Sequence, residues 1–426
     1  MRIPRRKANP VSLAAPLAAF LVLASPAALA TNGYFAHGYG TISKGMAGAG
    51  AALSQDAVSA ATNPAGMAFV GSRLDIGAEV FSPRRRFTVT GSGEPQPGTF
   101  YLAEGTRNSA REYFLVPHFG YNRAISDTQT LGLTVFGNGG MNTTWDGADG
   151  GPFFDGKAGV DLAQLFVAPS WSWQFRPGHS LGIAPIFAWQ RFEIEGVGSF
   201  APFSSDAAAL SANGHDTAAG YGLQLGWQGE ITPTLRGGLS WRSRIYMDEF
   251  DSYRGLFAEQ GDFDIPQMIN AGLAWSGIRD HTLLLDLQHI RYSEVKSVGA
   301  ALLPNLVTAP LGDDAGAGFG WRDVTVVKFG WQWRQDDRNT WRAGASYGRQ
   351  PIPASEVLFN ILAPGVQEWH FSGGFSRRLG ENFTLSGMAF YSPSKTVRGD
   401  NPLGPGQSIA LRMYQLGASL SLARHF

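Results

Sequence analysis

The chain ends Tyr414-Gln415-Leu416-Gly417-Ala418-Ser419-Leu420-Ser421-Leu422-Ala423-Arg424-His425-Phe426. Tyr414, Leu416, Ala418, Leu420, Leu422 and Phe426 fall on one face of an extended chain. Gln415, Gly417, Ser419, Ser421, Ala423 and His425 fall on the other. A period of two is the strand period, because successive side chains leave opposite faces of the pleat. Only Arg424 interrupts the apolar face, near the end, where a strand meets the membrane–water boundary. In a soluble sandwich the apolar face turns inward; in an outer-membrane barrel it turns to lipid, and small polar residues line the lumen.

The same grammar recurs upstream. Tyr221, Leu223, Leu225 and Trp227 alternate with Gly222, Gln224, Gly226 and Gln228; Val327, Phe329, Trp331 and Trp333 alternate with Lys328, Gly330, Gln332 and Arg334. Trp341–Gly348 and Trp369–Ser376 follow suit, with Trp and Tyr mainly at segment ends, where an aromatic girdle belongs. Six short polar turns and seven longer connections join fourteen expected strands between residues 73 and 426, among them 233–249, 281–296 and 382–395. An even strand number, with short turns at one rim and long loops at the other, describes an outer-membrane barrel. A β-helix would need a fixed short repeat, which is absent, and a sandwich has no use for aromatics at both strand ends.

Composition agrees. The 426 residues include 55 Gly, 28 Phe, 12 Trp, 12 Tyr and no Cys, and carry zero net charge. Charged residues make up 16% of the chain, against roughly 25% in an average soluble domain. Balanced charge argues against a nucleic-acid partner, and the lack of Cys excludes a disulfide scaffold and thiol chemistry. Gly and Ser toward the lumen with aromatics toward lipid account for the mixture.

Residues 1–30 form an expected signal peptide: Arg2, Arg5, Arg6 and Lys7, an uncharged Ala/Leu-rich run, then Ala28-Leu29-Ala30. A membrane anchor fits less well, since Pro16 and Pro26 interrupt the apolar run. Removing it leaves 30 basic against 34 acidic residues, a net charge of −4. Outside it, no uncharged apolar run reaches the ~18 residues of a membrane helix. Residues 31–71 lack the two-residue period. They are small, mildly apolar and poor in charge, with short helical turns expected over Ala51–Ala61. That composition suits a plug within a barrel better than a disordered tail. The expected division is signal peptide 1–30, hatch 31–71 and transmembrane barrel 72–426.

Lys44-Gly45-Met46-Ala47-Gly48-Ala49-Gly50, Gln55-Asp56-Ala57 and Asn63-Pro64-Ala65-Gly66-Met67 resemble the hatch of the long-chain fatty-acid outer-membrane transporters, the FadL and aromatic-hydrocarbon porin family. Gly132–Gly140 resembles the family's third strand, Pro351-Ile352-Pro353 its late Pro-x-Pro, and Phe426 the C-terminal aromatic of outer-membrane barrels, a signal to the barrel-assembly machinery. The resemblance covers residues 31–426. It implies an all-β, 14-stranded antiparallel, monomeric barrel with an N-terminal hatch, in the outer membrane of a Gram-negative bacterium. It further implies a lateral gate at an inward kink of the third strand, where Gly137, Asn138, Gly139 and Gly140 stand. These glycines also suit the start of a loop. Asn63, Pro64 and Ala65 match the hatch motif that lies against that kink, although the same three residues make an ordinary structural turn. The third and fourth external loops are implied to form an apolar capture groove, here with Phe200, Phe203, Leu256 and Phe257.

Parity turns Arg236, Arg242, Lys328, Arg342 and Arg378 toward the lumen. Lys328 and Arg342 are candidates to hold a fatty carboxylate; ion pairs with Asp75, Glu79 and Asp286 are the plainer reading. Gly344-Ala345-Ser346-Tyr347-Gly348 has the form of a nucleophile elbow, but it lies within a strand pattern with no helix after it. The eight His show no zincin spacing. The expected protein is therefore not an enzyme and uses neither cofactor nor metal. It passes a hydrophobic small molecule, a fatty acid or hydrocarbon, into outer-membrane lipid without an energy source. Capture on the loops is followed by lumenal binding, displacement of Thr31–Phe35 and exit beside the kink. The alternative is a general or structural porin with an inert N-terminal segment.

Overall fold

The computed structural model describes residues 32–94, 96 and 98–426; the expected signal peptide at 1–30 lies outside the described residues. Fourteen long strands follow one another: β1 (Arg73–Thr90), β2 (Phe114–Ala124), β3 (Gln129–Asn142), β4 (Gly159–Arg176), β5 (His179–Glu195), β6 (Asp216–Thr232), β7 (Leu235–Arg242), β8 (Met268–Ile278), β9 (His281–Ile290), β10 (Val324–Arg334), β11 (Asn339–Gly348), β12 (Trp369–Leu379), β13 (Phe383–Asp400) and β14 (Ser408–His425). Each pairs antiparallel with the next, and β14 returns to β1 from Arg73↔His425 to Thr90↔Ser408. Closure removes the free edges of the sheet, as hydrocarbon requires. Two short strands, Gly105–Asn108 on β1 and Tyr246–Met247 on β6, lie in the long loops.

The alternation holds in space. Ile76, Val80, Leu285, Leu287, Phe329, Leu416 and Leu420 are exposed on the outer face, whereas Asp75, Glu79, Asp286, Gln415 and Ser419 are buried inside. Phe426 faces outward and stacks on Tyr121, ring centroids 5.9 Å apart.

The lumen is filled by the chain's own N-terminal segment, whose residues 32–52 are buried throughout. It is largely irregular, with one α-helical turn, Thr41–Lys44, and two 3-10 turns, Ala57–Ala61 capped by Asp56 and Pro64–Phe69 capped by Asn63. Coil leaves backbone groups without helical partners, and wall side chains supply them. Asp286 Oδ2 accepts from Gly50 N at 2.7 Å and Ala51 N at 2.8 Å, and Ser240 Oγ donates to Thr62 O at 2.6 Å. Lys44 forms a buried ion pair with Glu79 of β1. The lumenal glycines sit where this segment presses on the wall: a Cβ at Gly238 would overlap the Ala51 carbonyl, and one at Gly344 the backbone of Met46.

Three strand limits differ from the sequence expectation by five residues or more. β7 stops at Arg242 rather than 249, because Arg244 turns to Asp264 at 2.5 Å and Asp262 at 3.4 Å and draws the chain off the wall. β9 ends at Ile290 rather than 296, where Tyr292 turns in to hydrogen-bond the Asn32 carbonyl. β13 runs on to Asp400 rather than 395, because a bulge between Ser392 and Lys395 resets the alternation instead of ending the strand.

Candidate functional site

The wall is interrupted at one place that the hatch itself fills. The β2–β3 ladder runs from Ala124↔Thr130 to His118↔Phe136 and stops. Beyond it, Phe114–Pro117 of β2 pair with β1 alone. On the other side of β3 the register to β4 slips from Gly137↔Leu165 to Gly139↔Gln164, leaving Asn138 as the extra residue of a bulge. The missing partner is the hatch. Ala36 N donates to Asn138 O at 3.0 Å, Gly140 N donates to Tyr34 O at 3.1 Å, and Phe35 stands opposite Gly139. A Cβ at Gly139 would overlap the Tyr34 carbonyl, so this close approach requires glycine. Past the gap, Ala110 N bonds Thr144 O at 2.9 Å and re-joins the two sides.

Asn138 is the hub. Its Oδ1 accepts from Tyr39 Oη at 2.9 Å and from Arg242 Nη2 at 2.9 Å, and its Nδ2 donates to Gln164 Oε1 at 2.9 Å. Arg242, 1% exposed, is also held 5.2 Å from the ring centres of both Phe35 and Phe166. One side chain thus ties hatch, bulge and β7 together.

The loops at the long-loop rim pack around a narrow apolar crevice of about 30 Å³, lined in part by Ile194, Phe200, Leu256, Phe257, Phe319 and Phe359. Phe203 lies outside it, its side chain partly exposed. A continuous run of rings leads down from the crevice. Phe257 is 4.8 Å from Phe263, Phe263 is 6.1 Å from Tyr34, and Tyr34 is 5.1 Å from Phe35 at the bulge. Tyr292 and Trp321 close around Tyr34 at 5.3 and 5.8 Å.

The remaining candidates lie elsewhere. Asn63-Pro64-Ala65 packs on β5 and β6, with Asn63 Nδ2 donating to Trp227 O at 2.9 Å and Ser180 Oγ to Ala65 O at 2.6 Å. The part implied for this turn at the third-strand kink is taken by Tyr34–Ala36. Lys328 Nζ donates to His37 O at 2.9 Å, and Arg342 donates to Gln332, Ser376 and Gln55; both hold the hatch in place. Glu79 pairs with Lys44, Asp75 with Arg73. Arg236 lies over the Phe69 ring at 4.5 Å. Ser346 is opposite His370 in the β11–β12 register, yet Ser346 Oγ has no hydrogen-bond partner among the described residues and His370 instead stacks on His37, rings 5.2 Å apart. Burial, with Lys44 beside it, holds His37 well below the ordinary histidine pKa. The motif stays a lumenal strand without an activated nucleophile.

Tyr34, Phe35, Tyr39 and Gln164 escaped sequence reasoning as site residues. Three aromatics within six residues of a Gly/Ala-rich segment were the available signal for the first three; Gln164 carried none.

A family model described as outer membrane protein transport protein (OMPP1/FadL/TodX) matches residues 21–385. No curated protein matches the chain. Among solved structures, a Pseudomonas aeruginosa FadL homologue has a TM-score of 0.66 at 17% identity, covering 92% of this chain and 99% of its own. The P. putida toluene transporter TodX gives 0.67 at 16%, and the Ralstonia pickettii toluene transporter TbuX 0.62 at 16%, each with 92% and 99% coverage. At such identities these structures speak for the fold. The family match over most of the sequence and the closed barrel agree: this chain belongs to the OMPP1/FadL/TodX family of outer-membrane transport proteins.

Proposed function

We propose that the barrel carries hydrophobic molecules passively from the long-loop side into the bilayer, releasing them sideways between β2 and β3. The observation that carries this reading is the β2–β3 ladder that ends at His118↔Phe136, with the vacancy filled by Tyr34–Ala36. Two backbone hydrogen bonds hold that filler on β3, so it is displaced more cheaply than a strand of the wall. An apolar solute gains by staying out of water along the whole route, and the crevice and ring series supply apolar contact from loop to gap. Two structural relatives are described as toluene transporters, which supports hydrocarbons of that size as the substrate class. Lys328 and Arg342 are engaged by the hatch and the wall, which agrees with an uncharged solute.

A carboxylate-bearing substrate has one observation in its favour. Arg85 of β1 is 3% exposed, packs 5.8 Å from Phe114 at the edge of the gap, and has no hydrogen-bond partner for Nη1 or Nη2 among the described residues. A buried guanidinium without a partner is costly and suits an anion.

Proteoliposome uptake of toluene and of oleate tests both readings. Gly139→Val with Gly140→Val fills the gap with β-branched side chains, and uptake of either should fall at least fivefold. Unchanged uptake by a correctly folded variant refutes lateral release. Arg85→Met should lower oleate uptake alone if fatty acids are substrates.

A further inference from the structure

The outer wall changes character abruptly on β1, β13 and β14. Going toward the long-loop rim, the outward residues of β1 are Ile76, Ala78 and Val80, then Ser82, Arg84 and Arg86; those of β14 are Leu420, Ala418, Leu416 and Tyr414 in reverse order, then Arg412. On β13, Ala389 and Tyr391 give way past the bulge to Ser394, Thr396 and Arg398. The register aligns these changes: Arg84 lies opposite Tyr414, Arg86 opposite Arg412, and Arg412 opposite Thr396. Arg412 is two residues past Tyr414, or about 7 Å along the strand, one step beyond the aromatic level that marks the lipid headgroups.

Two guanidiniums directly opposed across neighbouring strands repel one another. The partners on hand leave that repulsion standing: Arg86 Nε donates to Asn108 Oδ1 at 2.9 Å and Arg412 Nε to Ser394 Oγ at 2.6 Å, both neutral acceptors. Glu112 is the nearby acid, and it pairs with Arg84. Between these groups lies a crevice of about 220 Å³, lined by Arg84, Arg85, Arg86 and Arg412 with Glu112 and Tyr414. Its outward cations are Arg84, Arg86 and Arg412 against one anion, Glu112, and the guanidinium edges of Arg86 and Arg412 are still open to an acceptor. A phosphate accepts several such bonds at once, in the forked geometry of arginine. In a membrane the phosphate at this depth belongs to a lipid.

We propose that Arg86 and Arg412, with Arg84 and Arg398 beside them, form a site on the outside of the barrel for the phosphate group of a phosphorylated glycolipid in the leaflet at the long-loop rim. The acyl chains would lie along the apolar strand faces below, and the phosphate would bridge the opposed arginines.

The test uses the whole barrel in detergent, with lipid retention read by native mass spectrometry. The probes are bisphosphorylated lipid A, the same lipid with its phosphates removed, and inorganic phosphate. Wild-type protein should retain the phosphorylated lipid at least tenfold better than the dephosphorylated one, and inorganic phosphate at equal concentration should not displace it. Arg86→Gln with Arg412→Gln should abolish the preference; Arg86→Lys with Arg412→Lys should keep most of it. Equal retention of the two lipids by wild-type protein, or an undiminished preference in the folded Gln variant, overturns the site. Displacement by an equal concentration of inorganic phosphate overturns the lipid assignment. If the Gln pair does not fold, Arg398→Gln and the wild-type comparison of the two lipids decide.

Discussion

Replacing Asn138 by Ala removes the side chain that ties the hatch N-terminus to the bulge while leaving every backbone partner in place. Wild-type Asn138 Oδ1 accepts from Arg242 Nη2 and from Tyr39 Oη, each at 2.9 Å. A buried hydrogen bond from a charged donor is worth about 1.5–3 kcal/mol and a neutral one about 1. Part of this returns, because Arg242 still meets Tyr39 Oη at 3.4 Å and keeps the faces of Phe35 and Phe166. Only the Tyr39 bond joins hatch to wall, since Arg242 lies on β7, so the net loss for the latched state is about 1 kcal/mol, or about fivefold in the opening equilibrium. The amides of Ala36 and Gly140 report it directly, since they donate the two backbone bonds across the gap. Their hydrogen exchange should accelerate by that factor at unchanged thermal stability of the barrel, and toluene uptake should rise if opening limits it. Unaltered exchange at both amides in a folded Asn138→Ala protein refutes the latch.

Three further outcomes follow from the same geometry. Lys44→Met strands Glu79, which is 2% exposed, and should destabilise hatch packing by about 3–5 kcal/mol, read as protease sensitivity of residues 41–60; Lys44→Met with Glu79→Leu should recover most of it. Phe257→Ala removes the ring that lies 4.8 Å from both Phe192 and Phe263, so uptake at low toluene should fall about tenfold in line with the loss of apolar contact while the saturated rate changes little. In the fourth external loop, burial and the neighbouring Asp264 push Asp262 up to about 8. A carboxyl with a raised folded pKa favours the packed loop while protonated, so the loop should loosen as pH rises from neutral past that value. Proteolysis of residues 244–267 at pH 6.5 and 9 checks this, and Asp262→Asn should abolish the difference.

Alternation made the barrel legible, because lipid and lumen impose opposite demands on successive residues of every strand. Its failures were local. Nothing in Arg244 announces that Asp262 and Asp264, some twenty residues later, will pull it off the wall. The bulge after Ser392 reads in sequence as the end of a strand, since one extra residue inverts the pattern. The glycines at 137–140 did mark a weak ladder, but what fills it was hidden: the partner of Gly139 is Phe35, about a hundred residues upstream, and pairing between an irregular segment and a bulge leaves no periodic trace. The lumenal cations were visible by parity, whereas their engagement by hatch carbonyls depends on the path of a coil that no period encodes.

That path also determines which part of the hatch is free to move. Residues 37–69 are anchored to charged wall groups: Glu79 on Lys44, Asp286 on the amides of Gly50 and Ala51, and Lys328 on the carbonyls of His37 and Gly48. Withdrawing this part would strand Glu79 without its ion-pair partner, at about 3–5 kcal/mol, and would strip the hatch hydrogen bonds from Asp286 and Lys328, which face one another across β9 and β10. Residues 32–36 are held differently, by two backbone bonds to the bulge, the hydrogen bonds of Asn32, and ring contacts with Phe263, Tyr292 and Trp321. Apolar contact is non-directional, so a hydrocarbon arriving at Phe263 can replace the Tyr34 ring there, and the two backbone bonds to the bulge are the main polar cost of displacement. On the proposed route the substrate would compete with Tyr34 for this contact, without an energy source. Saturating toluene should speed exchange at Ala36 and Gly140 while leaving Gly50 and Ala51 protected. Equal loss of protection at all four amides would mean that the hatch moves as one body, and the partition argued from its anchors would be wrong.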